Sequence, residues 1–345
     1  MEKENTPTNI ALPKVIFGTS ALGNLYEEIS VDIKTKIISE CLQHAQLPVV
    51  FDSAGKYGAG LSLEMLGKIL TDLNVNPDNV IISNKLGWLR TELKTIEPTF
   101  EPGAWKGLKN DAVQRISYKG ILECLEQGNE LLGGRFVPQL LSVHDPDEYL
   151  NQAKTQSEYD ALFNDIIEAY KALSDKKKEG KVKAIGVGAK DWKTIQKIEE
   201  QVDLDWVMFA NSMTIMNHPA ELVTYMEKLK NKGVTIVNSA VFQAGFLLGG
   251  DYYDYRKIAR DTAENIHLFD WRDKFHAICK EFNVLPMHVC VNFALQAPGV
   301  KAIALNTSNP LRIKDNVASV NAEIPSAFYL KMKEVGLIEP DYKYI

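Results

Sequence analysis

The sequence predicts an α/β protein, a (β/α)8 or TIM barrel of eight parallel strands with a long loop after the third strand. Two observations support this fold: short apolar segments recur along the chain, and helical patterns separate them. An open doubly wound sheet is the alternative. Such a sheet would carry G-x-G-x-x-G directly after its first strand, and this motif is missing there.

The eight apolar segments are rich in valine and isoleucine, as strands buried on both faces are. The strands are expected at residues 15–17, 49–51, 80–85, 139–143, 182–187, 206–210, 234–237 and 300–305. In the helical pattern over 62–73, Leu63, Leu66 and Leu70 recur at spacings of three and four and form one apolar face. Further helices are expected near 31–45, 116–132 and 157–178.

The pattern lapses over residues 86–115, where Trp88, Phe100 and Trp105 are scattered among prolines and glycines. Loops of this length are usually lids or binding loops, or else disordered, and the aromatic residues favour a lid or binding loop. The sequence therefore predicts a long functional loop after the third strand.

Length and charge narrow the class of protein. The 345 residues fit one barrel domain over residues 1–345, and a net charge of −6 argues against a nucleic-acid partner. No apolar stretch approaches a membrane span, and the polar start MEKENTPTN is no signal peptide. The four cysteines form no C-x-x-C pair, which fits reduced thiols and a cytoplasmic protein; they are Cys41, Cys124, Cys279 and Cys290.

Four residues with distinct chemistry follow consecutive strands. Asp52 ends the second strand, Tyr57 follows it by five residues, Lys85 ends the third strand, and His144 ends the fourth. Each alone has an ordinary explanation, such as a turn cap, a packing residue, an exposed amine or a structural histidine. Because barrel strands converge on one mouth, the four together indicate a shared site.

The chemistry of these residues suits proton transfer. A lysine ammonium beside a phenol stabilises the phenolate, so Lys85 is expected to lower the pKa of Tyr57 towards neutrality. Asp52 is expected to keep Lys85 charged. Tyr57 then serves as a general acid or base, and His144 orients the substrate oxygen.

This ordered set, in FDSAGKYG, ISNK and LLSVHDPD, resembles the catalytic tetrad of the aldo-keto reductases, over about residues 12–320. The segments HDPD and VFQAGFLLGGDYYDY are similar to the branch with D-threo-aldose 1-dehydrogenases, L-fucose dehydrogenases, L-galactose dehydrogenase and pyridoxal 4-dehydrogenase. The resemblance implies NAD or NADP as cofactor and a carbonyl or hydroxyl carbon as the site of hydride transfer.

The expected nucleotide site follows the eighth strand, where NTSNPLRIKDN starts a helix capped by Asn309. The resemblance assigns the adenosine end of the nucleotide to Thr307, Ser308, Arg312 and Asn316. Relatives specific for NADP usually carry lysine at the position of Asn306, so this residue favours NAD slightly. A capped surface helix with one arginine is the alternative interpretation.

The nicotinamide end departs from the family pattern. Gly188 and Ala189 stand where many members have Ser-Asn, and Ser239 and Ala240 occupy the turn after the seventh strand. Gly188 and Ser239 are therefore weaker cofactor candidates.

The branch resemblance implies oxidation of C1 of an aldose of the L-fucose, D-threo-aldose or galactose kind to a lactone, with Trp88 and Trp105 stacking on the sugar. Alternatives are a general aldehyde or ketone reductase and a pyridoxal-type dehydrogenase. A nucleotide-binding regulatory subunit on the same barrel is a further class, which measurable turnover would exclude.

A metal-dependent barrel hydrolase is disfavoured, because only His144 among six histidines ends a barrel strand and neither H-x-H nor H-E-x-x-H occurs. No metal is therefore expected. The sequence leaves the substrate, the working direction and the oligomeric state open.

Overall fold

The computed structural model describes residues 10–345, and these form a closed barrel of eight parallel strands in sequential order. The predicted TIM barrel is confirmed. The strands are β1 Val15–Gly18, β2 Val49–Ala54, β3 Val80–Leu86, β4 Leu140–His144, β5 Ala184–Ala189, β6 Trp206–Ala210, β7 Thr235–Ser239 and β8 Val300–Leu305. The N-terminal segment 1–9, for which the sequence predicts no signal peptide, lies outside the described residues.

Helices follow the barrel strands and cover their outer faces. They are α1 Val31–His44, α2 Leu61–Asp72, α3 Tyr118–Leu131, α4 Pro146–Leu150, α5 Gln156–Lys178, α6 Trp192–Glu199, α7 Ala220–Asn231, α8 Ile266–Glu281, α9 Pro286–Gln296, α10 Ile313–Ser319 and α11 Ser326–Glu334. Side-chain oxygens cap several of their starts. In the capping box of α5, for example, Thr155 Oγ1 accepts from the Glu158 amide, and Glu158 reaches back to the Thr155 amide.

An apolar cluster fills the interior of the barrel. Its buried members are Ile16, Val50, Leu140, Ala184, Trp206, Met208, Val237 and Ala302. Side chains alternate between the two faces of a strand, so Asp52, two residues after Val50, points to the same interior face. Lys85 and His144 obey the same alternation, and the interior becomes polar at the carboxyl ends of β2, β3 and β4.

The long loop after β3 is more regular than the sequence predicts. Trp88–Glu92 pairs antiparallel with Asn110–Gln114, and this hairpin supports a tip over residues 93–109. The sequence misses this pairing because both strands are short, half-exposed and mostly polar, without a run of β-branched residues.

A second insertion follows β7. Residues 240–265 include a small hairpin, in which Tyr252–Tyr253 pairs with Arg256–Lys257. Its two turn residues, Asp254 and Tyr255, both have positive φ angles, 45° and 62°, as a two-residue hairpin turn requires. Both insertions rise from the carboxyl ends of barrel strands, the end that carries the candidate site.

Candidate active site

Three polar side chains meet inside the mouth of the barrel. Asp52, Lys85 and His144 are 3 %, 5 % and 4 % exposed. Lys85 Nζ donates a hydrogen bond to Asp52 Oδ2, and Ser83 Oγ donates one to Asp52 Oδ1 over 2.9 Å. Each oxygen of the buried carboxylate therefore has a partner, as a buried charge needs.

Tyr57 lies against two of these groups. The Lys85 ammonium is 4.7 Å from the centre of the Tyr57 ring, and the rings of Tyr57 and His144 meet edge to face with centroids 5.4 Å apart. All four residues that the sequence singled out thus lie together at one end of the barrel.

Close backbone packing fixes the turn that carries Tyr57. Gly58 has a φ of 62°, and a Cβ added to it would lie 2.3 Å from the carbonyl oxygen of Gly23. On the opposite side, a Cβ added to Gly23 would lie 2.7 Å from the carbonyl carbon of Tyr57. Only glycines allow this approach, so the 3-10 turn Ser20–Gly23 after β1 clamps the Tyr57 turn.

Burial and charge act on Lys85 and Tyr57 in opposite directions. Burial lowers the pKa of Lys85, but Asp52 raises it, and the net shift is upward, so the lysine is charged. Burial raises the pKa of Tyr57, and Lys85 lowers it. The net shift of the Tyr57 pKa is upward, opposite to the sequence expectation, because burial outweighs the ammonium. Tyr57 is therefore a neutral phenol at neutral pH.

His144 is a neutral imidazole. Burial, followed by the positive charges of Lys85 and Lys56, lowers its pKa well below the ordinary value. Its Nε2 lies 3.3 Å from Asp145 Oδ2, and its Nδ1 has no hydrogen-bond partner within residues 10–345. A neutral imidazole has one N–H donor, so His144 can offer one hydrogen bond without carrying charge.

The tryptophans of the loop after β3 lie beside the site. Trp105 is 3 % exposed and packs against Tyr57, with ring centroids 5.8 Å apart. Trp88 is half-buried and packs on Phe100 with centroids 5.7 Å apart. Trp105 thus contacts Tyr57 itself, and the Trp88 ring lies 5.6 Å from the ammonium of Lys56, the residue before Tyr57.

The residues expected to bind the nucleotide gather at the end of β8. Thr307 Oγ1 accepts from the Asn309 amide over 3.1 Å, and Asn309 Oδ1 caps the 3-10 turn Pro310–Arg312 by accepting from the Leu311 amide over 3.0 Å. Arg312 is exposed, Ser308 is half-buried and Asn316 is buried. These hydroxyl, amide and guanidinium groups are donors suited to phosphate and ribose oxygens.

Sequence comparison shows the family of the chain. The sequence model of the Aldo/keto reductase family matches residues 14–336. The chain belongs to this family.

Two relatives match over nearly their whole length. Pyridoxal 4-dehydrogenase of Microbacterium luteolum is 25 % identical over 96 % of both chains, and D-threo-aldose 1-dehydrogenase of a Pseudomonas species is 26 % identical over 95 % of both. A solved glycerol dehydrogenase of Gluconobacter oxydans shares the fold, with a TM-score of 0.67, 18 % identity and 97 % coverage of both chains.

Aldo/keto reductases use NAD(P)H, and the structure offers groups for its carboxamide that the sequence analysis missed. Asn211 Oδ1 and Ser212 Oγ, directly after β6, are buried and have no partner within residues 10–345. Gly188 contributes no side chain, and Ser239 Oγ already donates to the Phe209 carbonyl over 3.1 Å. The unpartnered pair after β6 therefore fits an amide better than the two weaker candidates do.

The sequence analysis also missed Lys56, the residue before Tyr57. It is 4 % exposed, and its Nζ contacts Glu101, Asp145 and Glu148. Burial lowers the pKa of Lys56, but these carboxylates raise it, and the net shift is upward. Its position next to Tyr57 in FDSAGKYG could have indicated this residue, because a lysine in that turn must be either exposed to solvent or paired with an acidic group.

Within residues 10–345, no group of three or more His, Cys, Asp or Glu side chains can hold a metal ion. None of the helices there is both long and apolar enough to cross a membrane.

Replacing Asp52 by Asn tests whether Lys85 is charged and dependent on this carboxylate. Losing one partner of a buried ion pair costs about 3–5 kcal/mol, whereas an exposed pair contributes at most about 1 kcal/mol. We expect Asp52→Asn to lower the free energy of unfolding by about 3 kcal/mol or more, measured by urea unfolding of nucleotide-free protein. The control is Asp72→Asn, which breaks the exposed Lys68–Asp72 pair of 2.6 Å. Equal stability of the two variants would contradict a charged, paired Lys85.

Proposed function

We propose that this aldo/keto reductase transfers hydride between a nicotinamide nucleotide and C1 of an aldose, oxidising an L-fucose, D-threo-aldose or galactose type of sugar to a lactone. The observation that carries the proposal is the contact of Tyr57 with both Lys85 and His144 at the barrel mouth. Tyr57 supplies a proton donor, Lys85 a fixed cation and His144 a neutral hydrogen-bond donor, and the three groups lie next to one another.

The nucleotide, when bound, supplies or accepts the hydride. Tyr57 moves the proton at the substrate oxygen: the phenol gives its proton in reduction, and the phenolate takes the hydroxyl proton in oxidation. The Lys85 ammonium stabilises the phenolate, and Asp52 holds that ammonium in place. Neutral His144 donates to the same oxygen and orients it.

The nucleotide fits the donors at two strand ends. Thr307, Ser308, Arg312 and Asn316 would hold the adenosine end after β8. Asn211 and Ser212 would hold the carboxamide after β6, where their unpartnered oxygen atoms are buried. The assignment after β8 rests on the family resemblance, and the assignment after β6 rests on these buried, unpartnered oxygens.

The sugar substrate is supported by the relatives and by the groups around the mouth. The name of the Pseudomonas relative states an aldose dehydrogenase. Tyr26 and Tyr255 are 45 % and 43 % exposed, and the Glu101 and Asp145 side chains are 35 % and 25 % exposed. The Lys190 ammonium lies 5.8 Å from the centre of the Tyr255 ring and also approaches Glu148 at 3.4 Å. These two tyrosine hydroxyls and two carboxylates can form hydrogen bonds with a substrate that carries several hydroxyl groups.

A pyridoxal-type substrate is the second candidate, and the Microbacterium relative favours it. Trp105 packs beside Tyr57 and gives the site an aromatic wall, which suits a pyridine ring as well as a sugar face.

The test of the proposed function is a panel of aldoses, simple aldehydes and pyridoxal, assayed in both directions with NAD and with NADP. We expect nucleotide-dependent oxidation of at least one aldose, with lactone as product by mass spectrometry. Activity on simple aldehydes alone would replace the proposal by general carbonyl reduction. Nucleotide binding without turnover of any substrate would indicate a regulatory protein.

We propose further that NAD is used at least as well as NADP. Asn306 Nδ2 donates to Ser20 Oγ over 2.8 Å, so this position carries an uncharged amide. By the family resemblance, relatives specific for NADP usually carry a lysine here that pairs with the 2′-phosphate. A lysine there would add a charge-assisted contact of about 1.5–3 kcal/mol. We expect Asn306→Lys to shift the ratio of kcat/KM values towards NADP by about tenfold or more. A wild type that strongly prefers NADP, with no shift in the variant, would mean that another group holds the 2′-phosphate.

A further inference from the structure

Lys56 joins three separate segments at the barrel mouth. Its Nζ lies 2.7 Å from Glu101 Oε1, 2.9 Å from Glu148 Oε2 and 3.2 Å from Asp145 Oδ2. Glu101 belongs to the loop after β3, Asp145 follows His144, and Glu148 lies on α4, where Lys190 also approaches it at 3.4 Å. The buried amine thus connects the turn of Tyr57 with two other parts of the mouth.

The Glu101 carboxylate also contacts Trp105. While Oε1 contacts Lys56, Oε2 accepts a hydrogen bond from Trp105 Nε1 over 2.6 Å. The Trp105 ring lies 5.8 Å from that of Tyr57. Because Lys56 directly precedes Tyr57, the contacts form a closed circuit from Lys56 through Glu101 and Trp105 back to Tyr57.

One residue of this circuit, Glu101, has a strained backbone conformation. Glu101 has a φ of 43°, a left-handed conformation that is unfavourable for a residue with a side chain. Such a conformation persists only where surrounding contacts hold it, and it concentrates at functional sites.

The loop is held in other ways as well. The Tyr26 amide donates to the Ala104 carbonyl over 2.7 Å, and the Lys106 amide donates to the Asn24 carbonyl over 3.0 Å. These backbone hydrogen bonds hold the loop independently of the ion pair. The ion pair itself acts on side chains, because Glu101 contacts both Lys56 and Trp105.

We propose that the Lys56–Glu101 ion pair is a positioning device that fixes Trp105 as a wall of the substrate site and thereby determines selectivity for large substrates over small ones. A small aldehyde needs only the groups at Tyr57 and His144. A longer polyhydroxylated substrate reaches Trp105 and the partly exposed carboxylates, so it depends on their placement. This inference rests on the proposed function insofar as Tyr57 marks the reacting end of the site.

The test compares Lys56→Met, Glu101→Gln and the double variant with wild type, using the best aldose of the panel and propanal. We expect each single variant to lower kcat/KM for the aldose about tenfold or more, mainly through KM. Glu101→Gln leaves Lys56 paired with Asp145 and Glu148, so it should change kcat/KM for propanal by less than about threefold. The double variant should be no worse than the poorer single variant, because each single variant already removes the Lys56–Glu101 pair. Lys56→Arg keeps the charge and should restore most of the aldose activity.

Lys68→Met is the matched control, since Lys68 forms an exposed ion pair far from the site and its loss should leave both activities unchanged. If Lys56→Met fails to fold, Glu101→Gln alone tests the proposal, because Lys56 keeps Asp145 and Glu148 in that variant. Equal losses for both substrates in Glu101→Gln, additive losses in the double variant, or no loss for the aldose would overturn the inference. If wild type oxidises no aldose, the proposed function fails by itself, and the comparison is made with the bulkiest aldehyde that wild type reduces.

Discussion

The buried ion pair between Asp52 and Lys85 is the interaction on which the arrangement of the site depends. A charged lysine inside the barrel is tolerated only because Asp52 accepts from it and Ser83 completes the carboxylate shell. This cation lies beside Tyr57, where it favours the phenolate against the larger, opposite effect of burial. Burial first, and then the charges of Lys85 and Lys56, keep the imidazole of His144 neutral. The ion pair therefore supports proton transfer by the phenol and contributes to uncharged hydrogen bonding by the imidazole.

Other contacts at the barrel mouth hold Tyr57 beside the Lys85 ammonium. Glycines at 23 and 58 let the first βα loop clamp the Tyr57 turn, and Lys56 anchors the same turn to the loop after β3 and to α4. The two lysines have different surroundings, because Lys85 contacts the ring of Tyr57 as well as Asp52, whereas Lys56 pairs with three carboxylates. Barrel loops are expected to supply substrate contacts in this way, while the strands supply the fixed groups.

The strands were predictable from the sequence because each is indicated by its own short segment. The apolar composition of segments such as residues 80–85 indicates a buried strand. The alternation of side chains along the strands then brings Asp52, Lys85 and His144 to one end of the barrel. The contacts of Lys56 were not predictable, because Asp145 and Glu148 lie 89 and 92 residues away along the chain. The hairpin Trp88–Glu92 with Asn110–Gln114 was missed because its strands are polar. The direction of the Tyr57 pKa shift depends on burial, which the sequence does not give.

The most direct test of the central claim is the pH dependence of kcat/KM in both directions, from about pH 6 to about pH 10, for wild type and Tyr57→Phe. Because the pKa of Tyr57 is raised, the phenol is protonated through neutral pH, so reduction should be flat there and fall only at alkaline pH. Oxidation requires the phenolate, so it should rise about tenfold per pH unit below that pKa. Tyr57→Phe should lower both rates by about 10²–10⁴-fold and remove the slope, with nucleotide affinity retained. A pH-independent oxidation in wild type, or an unchanged slope in Tyr57→Phe, would show that another group transfers the proton.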